Sequence, residues 1–135
     1  LLCRTYIKLI MKLKSFLTIT SILSFVFGAC MFFVPATALQ SLGISSSLQT
    51  ISVTRGMGGL IIGFASINFM LRNCNDNDVL KHLLLANIIT HAFGLTADVW
   101  GFADGAVTLA KMAPVEITHL VIGVGSLVYL VRRKQ

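Results

Sequence analysis

The sequence predicts an all-α fold: an integral membrane four-helix bundle, antiparallel and up-down in topology, with both termini cytoplasmic. Three observations point there. The chain of 135 residues is 56% hydrophobic and only 12% charged, against about 25% charged in a soluble domain. Its apolar residues gather into four runs, each near the ~20 residues that cross a bilayer. Within every run, small and polar residues recur at helical spacing on one face. No alternating strand pattern competes with these runs.

The first span is expected from Ser15 to Val34, stopped by Pro35. "MKLKSFLTIT" before it makes Met11 a natural start, with residues 1–10 as an upstream extension. The stretch from Met11 also resembles a signal peptide, but its apolar run is long and "GACMFF" is a poor cleavage site, so it reads as a retained helix. The connection "ATALQSLGISSSLQ" has room for a short interfacial helix. The second span is expected from Thr50 to Leu71, ending at "RNCNDND". The third is expected from Val79 to Ala103, closing at "DG". The fourth is expected to start at Pro114, a favourable first-turn residue, and to end near Val131 before "RRKQ". The two later connections are short, which favours antiparallel neighbours. All of this fits one domain over residues 1–135.

Arginine and lysine placement sets the orientation. Arg4, Lys8, Lys12, Lys14, Arg72, Lys81, Arg132, Arg133 and Lys134 fall on one side, and Lys111 and Arg55 on the other, which is nine against two. The richer side is expected to face the cytoplasm, and the membrane to be a bacterial inner membrane. The formal net charge of +6 has this origin. No basic stripe with interleaved aromatics suggests nucleic acid. Cys3, Cys30 and Cys74 form no CxxC, so a thiol redox or cysteine-zinc site is not expected. Trp100 and Tyr129 sit where interfacial anchors sit, and His82 beside Lys81 reads as a surface residue.

The stripes mark the bundle interior, because helices in lipid associate through close backbone approach and hydrogen bonds. On the first span the stripe is Ser21, Ser24 and Gly28; on the second, Ser52, Gly56, Gly59, Gly63 and Ser66. On the third it is Asn87, His91, Gly94, Asp98, Gly101 and Gly105; on the fourth, Glu116, His119, Gly123 and Ser126. Gly56, Gly59, Gly63, Gly94, Gly101 and Gly123 are thus the candidate helix-packing residues.

Arg55, His91, Asp98, Glu116 and His119 are the candidate site. In the expected topology Arg55, Asp98, Glu116 and His119 share the outer part of the membrane, with His91 nearer the middle, and ionisable groups at membrane depth need a partner or a cavity. Arg55 is expected to pair with Asp98 or Glu116. Three roles suit such a cluster. It can be a structural ion pair with histidine partners, which needs no chemistry. It can be a pocket for an anion, a quinone carbonyl or a lipid headgroup, held by the arginine fork. It can bind a metal or act in acid–base catalysis. Glu116 and His119 form the E-x-x-H of di-iron bundles, but the chain has a single glutamate, too few for that centre. One metal on His91, Asp98 and His119 is conceivable chemistry, yet no metal and no cofactor is expected.

"FVPATALQSLGI", "TRGMGGLIIGF", "HAFGLTADVWGFADG" and "PVEITHLVIGVGSLVYL" together resemble the DoxX-like superfamily of small four-helix membrane proteins, in a branch that is a domain of unknown function. The resemblance covers Met11 to Val131. It implies the four-helix fold and carries over Arg55, Gly56, Gly59, His91, Asp98 and His119 as family positions. Some DoxX-like proteins are associated with sulfur-compound and quinone oxidation; here no clustered cysteines or cofactor motif accompany the likeness. The expected function is therefore a ligand-binding or accessory membrane subunit without independent catalysis. Its expected partners are the lipid bilayer, a small ligand, lipid or quinone, and a second copy or larger membrane complex. The alternative is a membrane enzyme or quinone-linked redox subunit using the same cluster.

Overall fold

The computed structural model describes residues 12–132, all-α, with five helices in that range. They are α1 (Leu13–Phe33), α2 (Pro35–Ser41), α3 (Leu48–Leu71), α4 (Asn77–Ala103) and α5 (Leu109–Arg132). Four of them, all but α2, are long and apolar enough to cross a membrane. The proposed start at Met11, the extension before it, and Arg4, Lys8, Arg133 and Lys134 lie outside the described residues.

Local chemistry sets most of the boundaries. Val34 closes α1, and Pro35 opens α2 at a position that needs no N–H donor. Gly43, at φ +77°, ends α2 with a turn that side chains rarely adopt. Ser47 and Thr50 start α3 with a reciprocal capping box: the Thr50 N–H donates to Ser47 Oγ (3.1 Å) and the Ser47 N–H to Thr50 Oγ1 (2.7 Å). The Asp76 carboxylate caps α4 by accepting from the N–H groups of Asp78 (2.8 Å) and Val79 (3.1 Å). Gly105, at φ +69°, follows α4.

α5 departs from expectation. It begins at Leu109, so Pro114 lies inside the helix rather than at its start. Pro114 is the sixth residue of the helix, and its ring removes one backbone donor, the N–H that would otherwise reach the Ala110 carbonyl. The extra turn pays for itself by burying Met112 at 6% exposure.

Packing is organised as two antiparallel pairs, α1 with α3 and α4 with α5. The N-terminal end of the bundle, hereafter proximal, is closed by an apolar cluster of Phe16, Leu17, Leu80 and Leu83, with Tyr129 packed against it. The Phe16 and Tyr129 rings lie 5.0 Å apart. Gly125 admits the Phe16 ring to α5: a Cβ there would meet Phe16 Cε2 at 2.5 Å.

The distribution of polarity is that of a protein solvated by lipid. Leu60 (77% exposed), Met70 (76%), Phe33 (72%) and Phe93 (70%) point outward, while Ser126 (0%), Asn87 (1%), Ser21 (3%) and Asn68 (5%) are inside. In water this arrangement would forfeit the hydrophobic driving force. In hydrocarbon it keeps interior polar groups away from the acyl chains, and it leaves apolar side chains facing them.

Candidate functional site

The α4–α5 seam carries the ionisable groups. Gly94 on α4 faces His119 on α5 so closely that a Cβ would lie 2.5 Å from the imidazole Cε1. Reciprocally, Gly123 on α5 faces His91 on α4, where a Cβ would lie 3.3 Å from the His91 Cβ. Each glycine leaves the space that the opposite histidine fills. The two rings lie 5.0 Å apart at 58°, with the Nδ1 atoms 2.8 Å from each other. Toward the α4–α5 connection, the distal end, lie Asp98 on α4 and Glu116 on α5, whose Oδ2 and Oε1 atoms are both shut off from solvent. Asp98 Oδ2 lies 3.7 Å from His119 Nε2, an ion-pair distance too long for a hydrogen bond.

Across the 2.8 Å Nδ1–Nδ1 contact one imidazole donates and the other accepts, so the two rings cannot both be protonated cations.

Below the histidines the polar row continues without charge. His91 borders a narrow void shared with Thr20, Ser21, Ser24, Asn68 and Asn87. Its volume of about 10 Å³ is close to the minimum for one water molecule. Asn87 Nδ2 donates to Asn68 Oδ1 at 2.8 Å, while Asn68 Nδ2 donates to the Phe64 carbonyl at 3.0 Å. This amide pair ties α3 to α4. The hydroxyls of Thr20 and Ser21 donate back to the Phe16 and Leu17 carbonyls. Beyond the amides lies the proximal apolar cluster.

Of the sequence-derived site, His91, Asp98, Glu116 and His119 come together, and Arg55 does not. Arg55 is exposed, and among the described residues the base that comes within 4 Å of a carboxylate is His119, 3.7 Å from Asp98. The expected pairing of Arg55 with Asp98 or Glu116 is therefore replaced. The reason is rotational: α3 turns Thr54 and Gly58 inward, and Arg55 falls on the neighbouring strip. No group of three His, Cys, Asp or Glu among the described residues is placed to hold a metal ion.

The packing glycines divide as well. Gly94 and Gly123 lie at the seam, and Gly101 approaches Val107 in the distal turn, where a Cβ would lie 3.1 Å from Val107 Cγ2. Gly59 has only ordinary room beside the Phe32 ring, and Gly56 and Gly63 face open space. The close approach belongs to Gly58, where a Cβ would meet the Gly28 carbonyl oxygen and the Phe32 nitrogen at 2.7 Å. Sequence reasoning missed Gly58, Asn68 and Thr54. The phase Thr54, Gly58, Ala65, Asn68 was a readable signal, but the richer Gly56–Gly59–Gly63 strip drew the helix face to itself.

The fold and the inverted polarity define a small integral membrane protein of four apolar helices. No family model, curated protein or solved structure matches the chain. The resemblance to DoxX-like proteins thus has no family match behind it, and the small all-helical membrane architecture stands on its own.

Proposed function

We propose that the protein is a ligand-binding or accessory membrane subunit whose working element is the His91–His119–Asp98–Glu116 row. In this reading both termini are cytoplasmic, the membrane is a bacterial inner membrane, and the row opens toward the outer face. The observation that carries it is the segregation of ionisable groups. Apart from His91 at their border, the void and the amide pair contain no ionisable side chain, whereas the distal seam holds two carboxyls and two imidazoles. A structural seam is satisfied by amides and hydroxyls; ionisable groups at membrane depth mark function by default.

Without Arg55 the row has no guanidinium fork for an anion. Its chemistry suits a ligand that donates hydrogen bonds, such as an amine-bearing small molecule or lipid headgroup. The accessory role draws on α3, whose Gly56 and Gly63 lie on the exposed surface and suit close approach by another membrane helix.

The test is native mass spectrometry of gently extracted full-length protein, with lipid and metal analysis. A bound small molecule or lipid that is lost in Asp98→Asn and His119→Ala, and kept in Gly63→Ala, supports the reading. No adduct on the wild type, or an adduct retained in all three variants, overturns it. Orientation is tested by a cysteine introduced at Lys134, which should resist impermeant labelling in intact cells.

A further inference from the structure

Along the α1–α3 pair, apart from the seam, runs an open groove of about 450 Å³. Ligand sites span roughly 300–1,000 Å³. Its floor is Ser21 and Ala65, both buried. Its walls include Ile22 and Phe25 on α1, and Ser66 and Phe69 on α3. No residue of α4 or α5 lines it. The two serine hydroxyls turn back on their own helices and donate to the Leu17 and Ile62 carbonyls. The groove therefore presents an apolar surface along its length and suits a hydrocarbon chain.

Its two ends differ. Toward the middle of the membrane the helices close on one another, where Gly28 meets Gly58. Toward the proximal end the groove leads to two cations, one from each wall. Lys14 lies in the first turn of α1, on the strip that continues through Thr18 to Ile22 and Phe25. Arg72 follows the last residue of α3, and its guanidinium carbon sits 3.6 Å from the centre of the Phe69 ring. A bond to the Phe69 carbonyl holds it there. Lys14 and Arg72 are each 14 residues from the glycine of the crossing, so antiparallel packing brings them to one level. No carboxylate among the described residues is within ion-pair reach of either. Asp76, the acid nearest to Arg72 in sequence, uses its carboxylate to cap α4. A single basic residue at a helix end only snorkels to water; two of them at the mouth of one apolar groove make a binding geometry. The length agrees. Lys14 and Phe25 are 11 residues apart, about 16 Å along a helix, or roughly half of a ~30 Å hydrocarbon core. That is the reach of an acyl chain within one leaflet.

We propose that this groove binds an anionic phospholipid, with one acyl chain along Ile22, Phe25, Ser66 and Phe69 and the phosphate between Lys14 and Arg72. The guanidinium supplies paired N–H donors for phosphate oxygens, and the ammonium supplies a point charge. Basic pockets between membrane helices hold anionic headgroups in this way. The site shares no residue with the His91–His119–Asp98–Glu116 row and does not depend on a ligand there.

Photo-crosslinking of the full chain in phosphatidylcholine nanodiscs tests it. One sample carries a trace of phosphatidylglycerol with a diazirine midway along an acyl chain, and the other carries phosphatidylcholine with the same chain. Labelled peptides are mapped by mass spectrometry. Phosphatidylglycerol is expected to label the groove residues about fivefold or more above phosphatidylcholine, since each basic residue near a membrane surface attracts an anionic lipid by roughly that factor. Leu60 and Phe93, exposed elsewhere on the surface, should take both probes alike. Lys14→Gln combined with Arg72→Gln should bring the groove down to the phosphatidylcholine level, and Asp98→Asn in the seam should leave the excess unchanged. Equal labelling by the two lipids overturns the proposal, and so does an excess that survives the double variant. A groove that takes neither probe is filled by something else, a helix of a second copy included, and also overturns it. Should the double variant fail to fold, the wild type decides: the excess should shrink as ionic strength rises, and an excess indifferent to salt refutes the site.

Discussion

The two helix pairs use glycine for opposite ends. Between α1 and α3, Gly28 and Gly58 make room for backbone, and a Cβ on Gly58 would lie 2.7 Å from main-chain atoms of α1. Between α4 and α5, Gly94 and Gly123 make room for histidine side chains. The first pair buries hydroxyls and an amide but no ionisable group at its contact. The second carries the ionisable row. A glycine contact in a membrane bundle therefore has two meanings. Where it admits backbone it sets the distance between helices, and where it admits a polar ring it builds a site. One pair serves as the frame and the other carries the chemistry.

The largest expected effect tests the frame. Gly58→Val places a branched side chain against the Gly28 carbonyl and the Phe32 nitrogen, atoms that cannot swing aside. The helices must part, and overpacking of this kind costs about 1–3 kcal/mol or more. Thermal unfolding in detergent should fall sharply. Gly94→Ala is expected to cost less, about 1 kcal/mol, because it meets the His119 ring and not a main chain. Its mark should be on the site: the His91–His119 hydrogen bond should be lost from the nitrogen NMR spectrum of the imidazoles. If Gly94→Ala unfolds the protein as readily as Gly58→Val, the division between frame and site fails.

The link between the pairs comes next. Asn87→Ala removes the donor to Asn68 Oδ1 and leaves a buried acceptor, at about 0.6–2 kcal/mol as membrane hydrogen bonds go. Replacing both asparagines by leucine should cost less than the sum of the single changes, because no orphan remains. A double variant worse than that sum would show that the amide pair is not what ties α3 to α4.

Much of the architecture was legible, and the reasons are physical. Helix existence followed from run length and apolar content, since a bilayer fixes both. The short helix Pro35–Ser41 followed from a connection too long for a turn. Convergence of His91, Asp98, Glu116 and His119 followed because α4 and α5 are joined by a five-residue connection, which fixes their register. The phase of α3 was not legible. Its glycines occupy two neighbouring strips, Gly56–Gly59–Gly63 and Gly58, and a 100° step per residue leaves both as plausible interior faces. Only the partner helix chooses, and it chose the strip in which Gly58 meets Gly28. Arg55 was misplaced by the same rotation. Pro114 misled differently: its preference for a first turn is real, yet burial of Met112 carried the helix past it.

The smallest expected effect concerns the strip that the sequence favoured. Gly56→Ala and Gly63→Ala enter open space, and alanine exceeds glycine in helix propensity by up to about 1 kcal/mol. Both variants should match or slightly exceed the wild type in stability. Arg55→Ala should also be nearly silent in detergent, because the exposed guanidinium leaves no buried carboxylate behind when it is removed. Asp98→Ala should not be silent, since it removes the carboxylate 3.7 Å from His119 and leaves a gap in the seam. The double variant Arg55→Ala with Asp98→Ala then separates the two pairs cleanly. Sites on different helix pairs with no shared partner should add to within about 0.5 kcal/mol. An interaction energy beyond that would draw Arg55 into the seam, turn α3 by a residue, and make one charged network of what are here a frame and a site.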